Sequence, residues 1–255
     1  DVAAASDAVV STALIEGEDI FVVATIAQVR NGVWIVARRD HGISTPDDLR
    51  GKRLATQKNS AVHFFLSRFL VWNRIPESAV DIQFMPAAEL PAALIDGRID
   101  AFAMRNPYCA EARAALGEKA VEFYEPTAYR QTFNLLVPRT GAAAGGEVAV
   151  RLLRALQEAN RFIHTKPETA REQTAAGLGG DSLPQVERDW ERHRFGLGLD
   201  QDLVTTLEAQ ARWAMQDKEA AHGSALPNVL RYLHTEPLRE VDASAVQIIM
   251  GETTK

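Results

Sequence analysis

At 255 residues, 46 % of them apolar and 24 % charged, the chain is long enough for one large α/β domain or two lobes, and its composition excludes disorder. A net charge of −6 with no basic stripe excludes the usual nucleic-acid binder, so any anion must be held by a local site. One cysteine, Cys109, excludes an intrachain disulfide, and no apolar run of about 18 residues is present to span a bilayer. No basic segment precedes Val2 to Ala5, so no signal peptide is read in this chain.

Short apolar runs alternate with amphipathic segments over the first two-fifths. Val2 to Ala5 is a short strand, and Ser6-Asp7 caps a helix to Ile15 that Gly17 closes. Asp19 to Thr25 is a buried strand, Asn31-Gly32 a turn and Val33 to Ala37 another strand. Thr45-Pro46-Asp47-Asp48-Leu49 reads as a one-turn helix with Thr45 as cap and Pro46 in the first position. Arg53 to Thr56 is a strand, Gln57-Lys58-Asn59-Ser60 a polar turn, and a helix runs from Ala61 to Ile75, stopped by Pro76. Val80 to Met85 is a strand, Ala87 to Ile95 a helix ended by Gly97, and Ile99 to Met104 a strand. Asn106-Pro107 opens a helix to Leu116, and strands follow at Val121 to Tyr124 and Thr132 to Val137.

After Gly145-Gly146 the pattern becomes helical: Glu147 to Thr165, Pro167 to Ala176, Val186 to Arg194, Gln201 to Asp217 and Leu226 to Leu233. Val246 to Met250 is a last short strand. The alternation predicts an α/β fold, with mixed sheets flanked by helices and a helical carboxyl-terminal part.

Three junctions share one form, in which a strand ends, a polar residue appears and a helix begins. They are Ala5-Ser6-Asp7, Thr56 to Ser60 with Ala61 following, and Met104-Arg105-Asn106-Pro107-Tyr108. Ligands of open α/β sheets bind beyond the carboxyl ends of strands, where the first N–H groups of the helix are unpaired and favour an anion. Arg105 adds a planar fork of donors suited to a carboxylate, sulfonate or phosphate, and Tyr108 could wall an apolar part of a ligand. The candidate ligand residues are therefore Ser6, Asp7, Asn59, Ser60, Ala61, Arg105, Asn106 and Tyr108.

Other chemistries find no pattern. No G-x-x-x-x-G-K-[ST] or G-x-S-x-G is present, and no histidine pairs with another His, Cys or Glu at metal-ligand spacing. Gly177 to Gly180 and Gly196 to Gly198 read as helix stops. His63 reads as a surface or core histidine although it could face a ligand, and Cys109 as a small buried residue with no adjacent base.

Taken together, ISTPDDLRGKRLATQKNSAVHFFLSRFL, Phe84-Met85-Pro86, Ala93-Leu94-Ile95-Asp96-Gly97-Arg98-Ile99-Asp100-Ala101 and Pro107-Tyr108 resemble the solute-binding proteins of the nitrate, sulfonate and taurine ABC-transporter family. The opening DVAAASDAVVSTALIEGEDIFVVATI and Trp190 to Leu197 extend the likeness over nearly the whole chain. The resemblance implies a two-lobed fold of the periplasmic-binding-protein type that closes on its ligand. Lobe one would be 1–37 with 131–255, lobe two 38–130, and the hinge strands 33–37 and 132–137. The three junctions would line one cleft.

It further implies a non-catalytic, extracytoplasmic protein without cofactor or metal. Such a protein captures a small anionic solute, a sulfonate such as taurine or an alkanesulfonate or a nitrate-like anion, and hands it as a monomer to the permease of an ABC transporter. Family members usually begin with a further strand and helix, which are expected to be missing ahead of Asp1. An aromatic or acidic residue is common near Arg105-Asn106, and the arginine here points toward an anionic ligand. Two alternatives stay open: a desulfinase-like enzyme on the same fold, and a ligand-sensing ectodomain.

Overall fold

The computed structural model describes residues 2–140, 146–179, 183–216 and 225–249. The chain divides into two compact units, Asp1–Val29 with Gln131–Lys255, and Arg30–Arg130.

The first unit opens with β1 (Ala3–Ser6), α1 (Asp7–Glu16) and β2 (Ile20–Arg30). Gly17 ends α1 in the left-handed conformation at φ 74°, which an L side chain adopts only with strain. The chain passes into the second unit at Val29–Arg30.

There it forms β3 (Trp34–Arg38), β4 (Arg53–Thr56), α2 (Ala61–Trp72), β5 (Asp81–Phe84), α3 (Leu90–Ile95), β6 (Ala101–Met104), α4 (Tyr108–Leu116) and β7 (Ala120–Phe123). Pro46–Leu49 is a single 3-10 turn, with Thr45 and Asp48 forming a reciprocal capping box. The sheet order is β5-β4-β6-β3-β7. Strands β5, β4 and β6 run parallel, with Leu54 opposite both Ile82 and Ala101, while β3 is antiparallel to β6 and to β7. The expected crossing at Val33 to Ala37 is therefore misplaced: β3 is paired on both edges inside the second sheet, and the unit boundary falls before it.

Helix α2 stops at Trp72, short of the expected Ile75. Pro76 disfavours a helical conformation at Ile75, and Arg74 turns back at φ 56°. The core of this unit is formed by Ile35, Leu54, Phe65, Leu66, Phe69, Leu70, Leu90, Leu94 and Phe102, all under 2 % exposed.

Returning to the first unit, the chain adds β8 (Arg130–Pro138), α5 (Glu147–Thr165), α6 (Pro167–Gly177), α7 (Leu183–Trp190), β9 (His193–Asp200), α8 (Gln201–Ala214), α9 (Glu236–Val241) and β10 (Val246–Gln247). The order of its sheet is β1-β8-β2-β9-β10. Strand β1 is antiparallel to β8, β2 is antiparallel to β9, and β10 is parallel to β9. Val10 and Leu14 of α1 pack with Val22, Leu135, Leu153, Leu199, Leu203 and Leu207 in one core. Arg139, just past β8, lies between the rings of Phe21 and Tyr232 at 4.6 and 4.5 Å and donates to the carbonyls of Ile20 and Arg231.

Four expectations fail in this half. Gly196 and Gly198 are interior residues of β9, not helix stops, and Val186 to Arg194 divides between α7 and the start of β9. Leu226 to Leu233 holds only a 3-10 turn, Val229–Tyr232, and α9 follows it. The last strand is confined to Val246–Gln247; Gly145, Gly180, Asp217 and Met250 lie outside the described residues.

Asp100 fastens the second sheet. Its Oδ2 accepts the main-chain N–H and Nε–H of Arg53 at 2.9 and 3.0 Å, and its Oδ1 accepts Arg53 Nη2 and meets His41 Nδ1, both at 2.7 Å. Burial alone would raise the Asp100 carboxyl, but these bonds outweigh it and hold the group well below the usual carboxylate range. A carboxyl depressed on folding contributes stability that is fully present above its unfolded value, about 4, and is lost as pH falls through the folded value. Asp100→Asn is expected to cost about 1.5 kcal/mol at pH 7, a modest figure because solvent screens the 39 % exposed Arg53. Its denaturation midpoint should also fall less than the parent's between neutral pH and about pH 3. Identical acid limbs for the two proteins would contradict the assignment.

Candidate functional site

Because β5, β4 and β6 are parallel, Phe84, Thr56 and Met104 end them at the same edge of the sheet. Two of the three sequence junctions leave from that edge. The interlocked Arg53–Asp100 pair stands at the opposite, amino-terminal ends of β4 and β6. Charge is thus neutralised at one edge and left available at the other.

At the β4 junction, Asn59 takes the left-handed conformation at φ 52°, and its N–H points to His63 Nδ1 at 3.4 Å. Ser60 is the N-cap of α2: its hydroxyl accepts the His63 N–H at 3.4 Å and donates to the Gln57 carbonyl at 2.6 Å. Ser60 is therefore occupied with folding its own turn. The first helical N–H groups, those of Ala61 and Val62, have no acceptor within the helix. Ala61 is 6 % exposed and offers a ligand little beyond its backbone.

At the β6 junction, Arg105 is exposed, and its guanidinium makes no hydrogen bond or ion pair with any described residue. Beside it, the Asn106 Oδ1 is sealed from solvent with no hydrogen-bond partner among the described residues. A buried acceptor left without a donor is costly, and an anion, which brings only acceptors, does not relieve it. Tyr108, half-buried, is the first residue of α4, and Cys109 is fully buried behind it.

The remaining junction belongs to the first unit and is built differently. Ser6 caps α1 without a side-chain hydrogen bond. Asp7 is fully buried; its Oδ1 accepts the Ala8 N–H at 2.9 Å and its Oδ2 the Thr132 N–H at 3.3 Å. A polar chain continues through β8 and β2: Asn134 Nδ2 donates to Thr132 Oγ1 at 3.0 Å, and Thr25 Oγ1 donates to Asn134 Oδ1 at 2.8 Å. Asp7, expected as a ligand residue, instead ties the start of α1 to β8 and presents no surface to a solute.

Elsewhere in the first unit, an open groove of about 530 Å³ lies between the start of α5 and α9. Its Arg154–Glu240 and His234–Glu236 pairs, at 2.8 and 3.0 Å, satisfy each other. Arg105, exposed and without a partner among the described residues, is better placed to take an anion. Among the described residues no group of three or more His, Cys, Asp or Glu side chains could hold a metal.

Comparison with known proteins accords with this architecture. A sequence model of a family described as NMT1/THI5-like matches residues 1–170. A comparison with curated protein sequences finds no match. Among solved structures, the periplasmic aliphatic sulphonate binding protein SsuA from Escherichia coli is similar with a TM-score of 0.75 at 19 % identity, over 91 % of this chain and 79 % of that one. The alkanesulfonate-binding protein SsuA from Xanthomonas axonopodis pv. citri, bound to MOPS, gives 0.69 at 21 %, over 92 % and 80 %. The desulfurization enzyme DSZB gives 0.61 at 16 %, over 90 % and 82 %. At these identities the likeness is one of fold.

The different status of the two neighbours at the first junction is measurable. Asp7→Ala leaves two main-chain N–H groups without acceptors and should lower unfolding free energy by about 2–4 kcal/mol. Ser6→Ala, which removes no cap bond, should stay within about 0.5 kcal/mol of the parent in the same denaturant titration. Equal losses would contradict the buried role of Asp7.

Proposed function

The chain belongs to the NMT1/THI5-like family, and from that footing we propose that it is an extracytoplasmic solute-binding protein that captures a small organic sulfonate and delivers it to the permease of an ABC importer. One observation carries the choice of an anion: the exposed guanidinium of Arg105, with no partner among the described residues, follows β6 at the sheet edge from which the β4 junction also leaves. The similar SsuA proteins, which bind an aliphatic sulphonate and an alkanesulfonate, support a sulfonate among the possible anions. A sulfonate presents three equivalent oxygens in a compact head. The planar fork of Arg105 engages two of them, and the free N–H groups of α2 favour the same charge. The proposed contacts in the second unit are Asn59, Ser60, Ala61, Arg105, Asn106 and Tyr108.

The protein needs no cofactor in this reading, since binding and release are its whole task, and it acts as a monomer toward the permease. No described helix is long and apolar enough to cross a membrane, so the permease supplies the passage. The likeness in fold to a desulfurization enzyme supports a second reading, C–S bond hydrolysis. That chemistry needs an accessible nucleophile, and Cys109 is 0 % exposed inside the first turn of α4.

Isothermal titration with ethanesulfonate tests the leading reading. Arg105→Ala should lower affinity by more than tenfold, because a charge-assisted hydrogen-bonded pair is worth roughly 1.5–3 kcal/mol. Arg105→Lys, which keeps the charge but loses the fork, should fall between the two. Unchanged affinity in Arg105→Ala would remove this residue from the site.

A further inference from the structure

The functional edge continues past β6. Strand β3 is antiparallel to β6, so its first residue, Trp34, stands opposite Met104, the residue before Arg105. On its other side β3 pairs with β7, Ile35 opposite Phe123, which brings Tyr124 to the same edge. The backbones at Met104 and Tyr124 are therefore two strand spacings apart, roughly 9–10 Å, within the combined reach of the Arg105 and Tyr124 side chains across one small solute. Trp34 is 3 % exposed and anchored. Its indole N–H donates to Glu122 Oε1 at 2.9 Å, and the other oxygen of that carboxylate faces Arg113 Nε of α4 at 3.5 Å. Tyr124 is stacked on the indole, with 5.3 Å between centroids and 25° between planes, and is itself 39 % exposed. Helix α4, which begins just past Arg105, packs against β3 and β7. A partly open aromatic ring is thus seated on a fixed indole, beside the turn that carries Arg105.

We infer that Tyr124 is a specificity-determining residue that takes the carbon body of the solute, so that the site selects sulfonates with a chain of several carbons over methanesulfonate and over inorganic oxyanions such as sulfate and nitrate. The inference rests on the sulfonate-binding reading and names the organic part of the solute. Arg105 engages only the charged head, and the head is the same in a short and a long alkanesulfonate. Discrimination between them must come from apolar surface within reach of that head. Tyr124 supplies such surface, and its stacking on Trp34 means that little side-chain freedom is left to lose when a chain settles against it. A methylene fully removed from water strengthens binding about fourfold, and one covered on a single face about twofold. Hexanesulfonate carries five more carbons than methanesulfonate, so one-sided cover of its chain gives more than tenfold.

The test is a calorimetric titration of the whole protein with methanesulfonate, butanesulfonate, hexanesulfonate, sulfate and nitrate, repeated with Tyr124→Phe, Tyr124→Ala and Tyr124→Gln. In the parent, affinity should rise with chain length, and hexanesulfonate should bind at least tenfold tighter than methanesulfonate, sulfate or nitrate. Tyr124→Phe, which keeps the ring, should keep that preference. Tyr124→Ala and Tyr124→Gln should each reduce the preference for hexanesulfonate over methanesulfonate to less than threefold. Tyr124→Gln keeps a flat side chain against Trp34 and decides the matter if Tyr124→Ala fails to fold; methanesulfonate binding by a variant shows that the Arg105 turn is intact. Affinity independent of chain length in the parent, or a preference that survives in Tyr124→Gln, would overturn the inference and leave sulfonate binding standing. Binding of no sulfonate by the parent would overturn both.

Discussion

The second unit depends on one carboxylate. Asp100 gathers the main-chain N–H and guanidinium of Arg53, and the ring of His41, at the amino-terminal ends of β4 and β6. Because the bonds reach the backbone as well as the side chain of Arg53, they fix where one strand starts relative to the other. Parallel strands have no hairpin to set their register, so such a fastening does the work a tight turn does elsewhere. Arg53 Nη2 also holds the Gly97 carbonyl at 2.9 Å, where the chain turns at φ 74° into the approach to β6. A Cβ at Gly97 would lie 3.5 Å from both Arg38 and His41, so the turn is packed as well as twisted.

With the amino-terminal ends level, the carboxyl-terminal ends are level too, and the polar residues beyond them share one edge. There the logic reverses. Buried polar groups at the fastened end are satisfied, whereas Arg105 has no described partner and Asn106 Oδ1 lacks a donor. Local inconsistency of this kind, in a unit otherwise well packed, is where a ligand is expected.

Much of this was legible in the sequence, because the second unit is built from local signals. The run from Arg53 through Ser60 into α2 alternates as a strand, caps as a turn and repeats as a helix, and β4 and α2 begin at the residues expected. The first unit was harder. In Phe195, Leu197 and Leu199 the period of two that marks β9 was present, but Gly196 and Gly198 between them looked like helix stops. Losing β9 also hid the second half of β2, which pairs with it through Val29 and so reaches Arg30 rather than ending at Thr25. The burial of Asp7 is hidden from the sequence for a different reason: its second acceptor bond goes to Thr132, 125 residues away, and nothing nearby signals a buried carboxylate.

The most direct measurement is calorimetric titration of the unmodified protein with a simple alkanesulfonate, followed by mass spectrometry of the recovered ligand. The account predicts saturable binding with one ligand per chain and recovery of the sulfonate intact. Release of sulfite or sulfate would contradict it in favour of catalysis on this fold, and absence of binding at millimolar sulfonate would contradict it outright.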